Sequence, residues 1–295
     1  MKIVSRYKSL ASMLLMVIFA LSSLATFAND YNIEHVKGDV YRFLDGRHRS
    51  VFLVTEQGIL LTDPLNESAA KWLKKALKKR FDVPIKYVVY SHNHSDHIYG
   101  AEVFKSPETT FIAHELAKQD IQLMKLNTVL PDTTFKDNMT ITLGRHTVEL
   151  RYHGANDGRG SISMLFKPEK LLFVVDWVVV GRMPWRKLWR YDIQGIIKST
   201  QQLLELDFDV FVGGHADIGN KADVKRYLNY IEDLYGAVVD GIHFGKSLDE
   251  LKQSIKLDTY NDFKQYDEWL PLNIEGVYKR LIEKSEKGLK PAVDN

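Results

Sequence analysis

Six consecutive residues constrain this chain more than any other feature. His92-Asn93-His94-Ser95-Asp96-His97 sets three of its ten histidines beside an aspartate. Residues 84–90 (PIKYVVY), just before them, are β-branched and aromatic and predict a short buried strand, after which HNHSDHIYG turns towards a helix. On an extended strand exit, side chains alternate, so His92, His94 and Asp96 are aimed to one side while His97 falls out of phase at the helix start. One ion cannot easily take all four. Neutral imidazole and carboxylate are common zinc ligands, so the spacing predicts His92 and His94 on one ion, and Asp96 and His97 on a neighbouring one. A histidine-rich surface turn without metal is the bland alternative, and HxHxDH at the end of an apolar strand is a more specific pattern than that.

The motif resembles the signature of the metallo-β-lactamase superfamily. The resemblance implies an α/β fold, an αβ/βα four-layer sandwich of the metallo-β-lactamase type, with metals at one edge of two facing sheets. It extends over roughly residues 31–235 and rests on His92, His94, Asp96, His97, Asp176 and His215 occurring in the right order. Asp176 follows five apolar residues (LLFVVD) and is an unpaired buried charge unless something compensates it; by the resemblance, this position bridges two metals. Gly213-Gly214-His215 leaves a predicted strand, 208–212, and matches the family's last ligand, the glycines allowing a sharp turn beside the ions. Ordinary β-lactamases of the superfamily lack the bridging aspartate, and one subclass uses a cysteine ligand, which a chain with no cysteine cannot supply. The resemblance therefore points to the broader hydrolase branch.

The loop 153–160 (HGANDGRG) departs from the family pattern. Relatives place a histidine about four residues before the Ser or Asn that opens the next strand, and counting back from Ser161 reaches Asp157. Asp157 is the favoured third ligand of the first site and His153 the second choice; an incomplete first site is the remaining alternative. Carboxylate is harder than imidazole and anionic, so manganese or iron would be better tolerated and bound water acidified less, with zinc, two per chain, as the default. Asp63 closes another predicted strand (ILLTDP). It reads equally as a cap for a helix over 66–80 or, by the resemblance, as a hydrogen-bonding group near a metal-binding histidine.

The rest of the chain frames these residues. Residues 1–28 carry a basic start, a short apolar run and an ATFA ending, which predicts a cleaved signal peptide, export to a periplasm and no stable membrane anchor; a retained anchor is the alternative. Of the formal charge of +2, three positive charges belong to Lys2, Arg6 and Lys8, so the remainder carries −1 and offers no basic footprint for nucleic acid. Residues 29–295 then form one domain with a helical C-terminal extension. Within it, 36–64 reads as a β-meander, 97–104 and 115–126 as helices, and 140–152 and 161–175 as hairpins; helices are expected again over 192–206, from 222 with Asn220 as a possible cap, at 248–255 and at 272–287. His114 and His146 read as structural or surface residues. Residues 177–191 hold three of the five tryptophans with Arg182, Arg186 and Arg190. They read either as a packed or dimer-contact loop or as a wall for a small-molecule substrate with an apolar body and an anionic end.

The expected activity is metal-assisted hydrolysis of an ester, lactone, thioester or lactam by water activated at the ions, with Asp96 orienting it and taking its proton. An iron oxygenase of the persulfide dioxygenase type, using one ion held by two histidines and an aspartate, is a second reading. A non-catalytic binding protein of the same fold is a third.

Overall fold

Two β-sheets stacked face to face, each covered by helices, build this computed structural model, which describes residues 31–289 with side chains through 282. The predicted leader, 1–28, lies outside the described residues. No helix among the described residues is long and apolar enough to cross a membrane. The first sheet runs in the order β1 (Tyr31–Lys37), β2 (Val40–Asp45), β3 (His48–Thr55), β4 (Gly58–Thr62), β5 (Ile85–Val89), β6 (Thr110–His114) and β7 (Thr133–Phe135). Strands β2 to β4 are the expected meander, antiparallel and preceded by a strand, β1, that was not expected and pairs antiparallel with β2; β4 to β7 are parallel. The second sheet takes β8 (Asn138–Leu143), β9 (His146–Tyr152), β10 (Ile162–Lys167), β11 (Leu171–Val174) and β12 (Val210–Gly213) in spatial order 12-11-10-9-8, with only the β11–β12 pair parallel.

Alternation along the strands divides the apolar residues between layers. In β3, Val51 and Leu53 enter the core between the sheets while Phe52 faces the helices outside; in β11, Leu171 and Phe173 point in while Leu172 and Val174 point out. Helix α1 (Glu67–Arg80) buries Ala69, Ala70, Leu73 and Leu77 against the first sheet and turns its lysines outward. Its N-cap is Asn66, whose side chain accepts from the Ala69 amide. Over the second sheet lie α4 (Ile193–Leu204), α5 (Lys221–His243), α6 (Leu248–Ser254) and α7 (Tyr266–Leu289). Asn220 caps α5 in a reciprocal capping box with Asp223. This is the expected αβ/βα sandwich.

Three expectations need correction. The segment 97–104 is not one helix but a single turn, α2 (Ser95–Ile98), and a 3-10 turn, Ala101–Phe104, separated by Gly100. A Cβ on Gly100 would sit 2.3 Å from the Pro64 carbonyl oxygen, and the backbone is zipped to the β4 exit by Leu65 N to His97 O (2.9 Å) and Gly100 N to Leu65 O (2.7 Å). Close contact with the neighbouring strand exit, rather than helix continuation, sets the path. His146, read as a surface candidate, is buried at the edge opposite the HxHxDH turn: its Nε2 lies 3.0 Å from Asp39 Oδ2 and its Nδ1 3.0 Å from Glu169 Oε1. The helix α3 (Glu115–Leu123) is shorter than expected by its last three residues.

Candidate metal centre

Parallel strands deliver whatever follows their C-terminal ends to one edge of a sheet. β4 releases Asp63, β5 releases residues 91–97, β11 releases Asp176 and β12 releases His215, so four separate stretches of sequence meet there. β9 runs antiparallel to β10 and its exit carries Asp157 to the same edge. All seven residues anticipated as ligands (His92, His94, Asp96, His97, Asp157, Asp176 and His215) converge.

Asp176 occupies the middle. Its Oδ2 lies 3.2 Å from His92 Nε2 and 3.1 Å from His94 Nδ1, and its Oδ1 lies 3.1 Å from His215 Nε2 and 3.7 Å from His97 Nε2. Its backbone is left-handed, φ 71°, a region that costs a non-glycine residue energy and is tolerated where the surroundings enforce it. Tyr191 is part of that enforcement, donating its hydroxyl to the Asp176 carbonyl at 2.8 Å. Asp157, 4% exposed, sets its Oδ2 3.4 Å from His94 Nδ1. His153 is turned away: its nitrogens meet Ser163 Oγ at 2.8 Å and Gln202 Oε1 at 3.0 Å.

The Asp63 question has a geometric answer. With α1 capped by Asn66, Asp63 is fully buried and accepts from the Ser91 amide (2.7 Å) and hydroxyl (2.6 Å), while its Oδ2 lies 3.4 Å from His97 Nδ1. Ser91 Oγ also lies 2.8 Å from His92 Nδ1. One carboxylate therefore orients two imidazoles, one directly and one through a hydroxyl, the arrangement by which outer groups fix ligand rings.

The donors group into sets: His92, His94, Asp157 and Asp176; His97, Asp176 and His215; and His48, Asp96 and His215, each within 4.8 Å of one another. Donors held about 2.1 Å from one zinc in a tetrahedral arrangement lie roughly 3.4 Å apart, close to the 3.1–3.4 Å separations around His94. His97 Nε2 and His215 Nε2 face each other at 3.2 Å. His92 Nε2, Asp157 Oδ2 and Asp176 Oδ1 are buried with no hydrogen-bond partner, and each such atom costs on the order of 1–3 kcal/mol if nothing completes it. Nitrogen and oxygen donors at these spacings fit a divalent cation, and Asp176 belongs to both of the deeper sets.

The electrostatics describe the same crowding. Burial and then His94 push the His92 imidazole down to about 4. Burial opposes charge on His97 too, but Asp176 and Asp63 outweigh it and raise it to about 9. Burial and the neighbouring Asp176 push the Asp157 carboxyl up to about 7. For Asp176 itself burial is outweighed by His215 and His97, which hold it well below the ordinary carboxylate range. Two carboxylates so close cannot both ionise without added positive charge.

His48 was missed by sequence reasoning. It starts β3, which runs antiparallel to β4, so its position beside the β4 exit follows from the topology once the meander is drawn. Its Nε2 lies 3.3 Å from Asp96 Oδ2, and its ring sits edge-on to His215 at 5.0 Å.

Above the cluster opens a cavity of about 490 Å³, lined by His48, His94, Asp96, Asp157, Asp176 and His215 on the floor and by Arg47, Arg182, Trp185, Trp189, Arg190 and Tyr191 around the rim. The loop 177–191 is both packed and overhanging: Trp177 is buried, while Trp185 and Trp189 are exposed at the cavity. Asn273 on α7 clasps the loop by donating to the Pro184 (3.2 Å) and Arg186 (2.6 Å) carbonyls, and Lys187 pairs with Glu275 at 2.7 Å.

The profile of the family described as the metallo-beta-lactamase superfamily matches residues 44–215. The 2,4-dinitroanisole O-demethylase subunit alpha of Nocardioides sp. (strain JS1661) is 26% identical over 241 residues, covering 79% of this chain and 69% of that protein. Among solved structures, a metallo-beta-lactamase from Pontibacter korlensis superposes with a TM-score of 0.62 at 18% identity, covering 69% of this chain and 99% of that one. A double mutant of the sec-alkyl sulfatase PisA1 gives 0.68 at 18% identity over 89% of this chain, which spans 52% of that protein's length.

Proposed function

The chain belongs to the metallo-beta-lactamase superfamily, and from that premise we propose that it is a metal-dependent hydrolase, with two zinc ions as its natural load and an ester, lactone, thioester or lactam as substrate. The observation that carries the reading is the floor of the cavity, where buried donor atoms without hydrogen-bond partners converge beneath an open space. His92, His94, Asp157 and Asp176 would hold one ion; Asp96, Asp176, His97 and His215 would hold the other. Bound there, the metals supply Lewis acidity and favour ionisation of water near neutral pH.

The protein's own groups do the rest. Asp176 keeps the two donor sets in register. Asp96, whose side chain is 45% exposed and lines the cavity, would orient the attacking water and accept its proton at the carboxylate oxygen not engaged by His48, whose Nε2 lies 3.3 Å from Oδ2 and holds the group in place. Burial works against charge on Asp96, but the contact with His48 and the nearby His97 outweigh it and keep it ionised. Asp63 and Ser91 hold the rings of His97 and His92 in place. The O-demethylase subunit named above supports chemistry at an oxygen-linked group. The basic and apolar leader supports work in a periplasm.

One observation favours a second reading. With Asp157 in the loop, His92, His94 and a carboxylate form the donor set typical of a mononuclear iron oxygenase. Metal analysis of protein purified without chelator, together with a hydrolysis screen over esters, lactones, thioesters, sulfate esters and lactams, decides between them. Two zinc per chain with hydrolysis is expected; one iron per chain with oxygen consumption overturns the hydrolase reading.

A further inference from the structure

Resting on the hydrolase reading of this cavity, we propose that its substrate is an amphipathic anion: its carboxylate, sulfonate or sulfate is held by arginines of the rim and its apolar body lies on Trp185 and Trp189. Arg47, Arg182 and Arg190 all line the cavity. Among the described residues none of the three has a carboxylate within ion-pair distance, whereas Arg42, Arg145, Arg151, Arg159 and Arg226 each have one. Guanidinium groups gathered around one opening without counter-ions are a site for an anion, and the planar fork matches two oxygens of a carboxylate or sulfate at once.

Arg182 is the most committed of them. Its Nε is buried with no hydrogen-bond partner, and its guanidinium lies over the Trp269 ring at 5.5 Å. Burial lowers its proton affinity, and Tyr191, Tyr227 and Asp176 nearby offset that only in part. Asp176 on the floor favours the guanidinium charge but makes no ion pair with it, being shared among His92, His94 and His215, and cations bound there would add positive charge beneath the arginines. An incoming anion relieves both.

The apolar half of the argument is the exposure of Trp185 (40%) and Trp189 (68%) beside those arginines. Large aromatic rings left in solvent at a cavity mouth are a binding surface rather than core. Trp185 is braced edge-on against Trp269 at 5.0 Å, and the loop carrying both rings is clasped by Asn273, so the wall is preformed. A preformed wall spares the ordering cost that a mobile one would incur on binding.

The test uses two matched pairs of compounds on the full chain. Quenching of tryptophan fluorescence by octanesulfonate and by octanol reads binding without any turnover, and kcat/KM for 4-nitrophenyl esters of adipate (free carboxylate) and hexanoate reads its use in hydrolysis. Saturable, salt-weakened binding of octanesulfonate but not octanol is expected, with tenfold or greater preference for the adipate ester. Arg182→Gln and Arg190→Gln should each weaken sulfonate binding about tenfold, the second being a change at an exposed position that keeps the test valid if the first fails to fold. Equal binding of sulfonate and alcohol, or sulfonate binding unchanged in Arg190→Gln and Arg47→Gln, overturns the proposal. Fast hydrolysis of both esters without preference also overturns it while the hydrolase reading stands; selective sulfonate binding with no ester or other hydrolysis supports it and removes the hydrolase reading instead.

Discussion

Both edges of the sandwich bury histidine among carboxylates, and they do so to opposite ends. At the edge opposite the HxHxDH turn, the single ring of His146 sits between Asp39 and Glu169, each nitrogen 3.0 Å from a different carboxylate. At the ligand edge, four imidazoles crowd around Asp176 and Asp157, two nitrogens face each other at 3.2 Å, and several buried donor atoms have no partner. The first group cross-links the two sheets, and it too leaves two buried atoms, His146 Nδ1 and Glu169 Oε2, without a hydrogen-bond partner. The second is a surplus of lone pairs that protons alone do not satisfy. Both places combine imidazole with carboxylate; what separates them is number, one ring between two carboxylates at one edge against four rings around two carboxylates at the other.

The comparison can be broken most directly at Asp176. Asp176→Ala should strip most of the bound metal and nearly all hydrolysis while far-ultraviolet circular dichroism stays native, because a buried charge leaves with its partner ions. Full metal occupancy in that variant would end the idea of a shared centre. One step further out, Asp63→Asn should weaken metal affinity by about 10- to 100-fold, the range expected when a group that orients a ligand ring is lost; titration with a competing chelator measures it. Asp157→Ala should lower the metal content to about half, and His153→Ala should leave it unchanged, since His153 is spent on Ser163 and Gln202. The reverse pattern would place the third ligand four residues earlier in the loop.

Smaller effects sharpen the other side. Glu169→Gln should cost about 2 kcal/mol in denaturant unfolding, the value of a charged contact inside the protein, with metal content and hydrolysis untouched. Because the two edges share no partner, its cost should add to that of chelation. The smallest expected effect concerns Glu275, where three lysines, Lys187, Lys252 and Lys279, hold the carboxyl down to about 2. A lowered folded-state value contributes stability above the ordinary value near 4.5 and loses it as pH falls towards 2. The difference in melting temperature between the protein and Glu275→Gln should therefore be constant above pH 5 and shrink below it; a gap that widens in acid would contradict the arrangement.

Much of the floor was legible in the sequence because its donors are local signals: HxHxDH after an apolar strand, an aspartate after LLFVV, a histidine behind two glycines. Each is a polar group at the end of a run that demands burial, and the fold class followed from the same alternation. Asp157 was legible only by position, counted back from Ser161. His48 and the buried state of His146 were not legible, because a histidine at a strand start is the same string whichever edge it reaches, and only pairing decides which. The division of 95–104 into two turns was hidden for a related reason. Its cause is the Pro64 carbonyl, 36 positions before Gly100 in the chain and in near contact in space. The rim was legible in composition but not in support, since nothing in residues 177–191 announces that Asn273 holds them.

That clasp has a consequence for how such a protein can diversify. The residues that would bind metal are drawn from strand ends that the whole sandwich must keep, whereas the outline of the opening is fixed from the far end of the chain, by one amide on α7 bonded to two carbonyls. Inheritance can therefore treat the two as separate parts. Substitutions on the α7 face around Trp269 and Asn273 can reshape what enters while the strand ends that carry the donors keep their sequence.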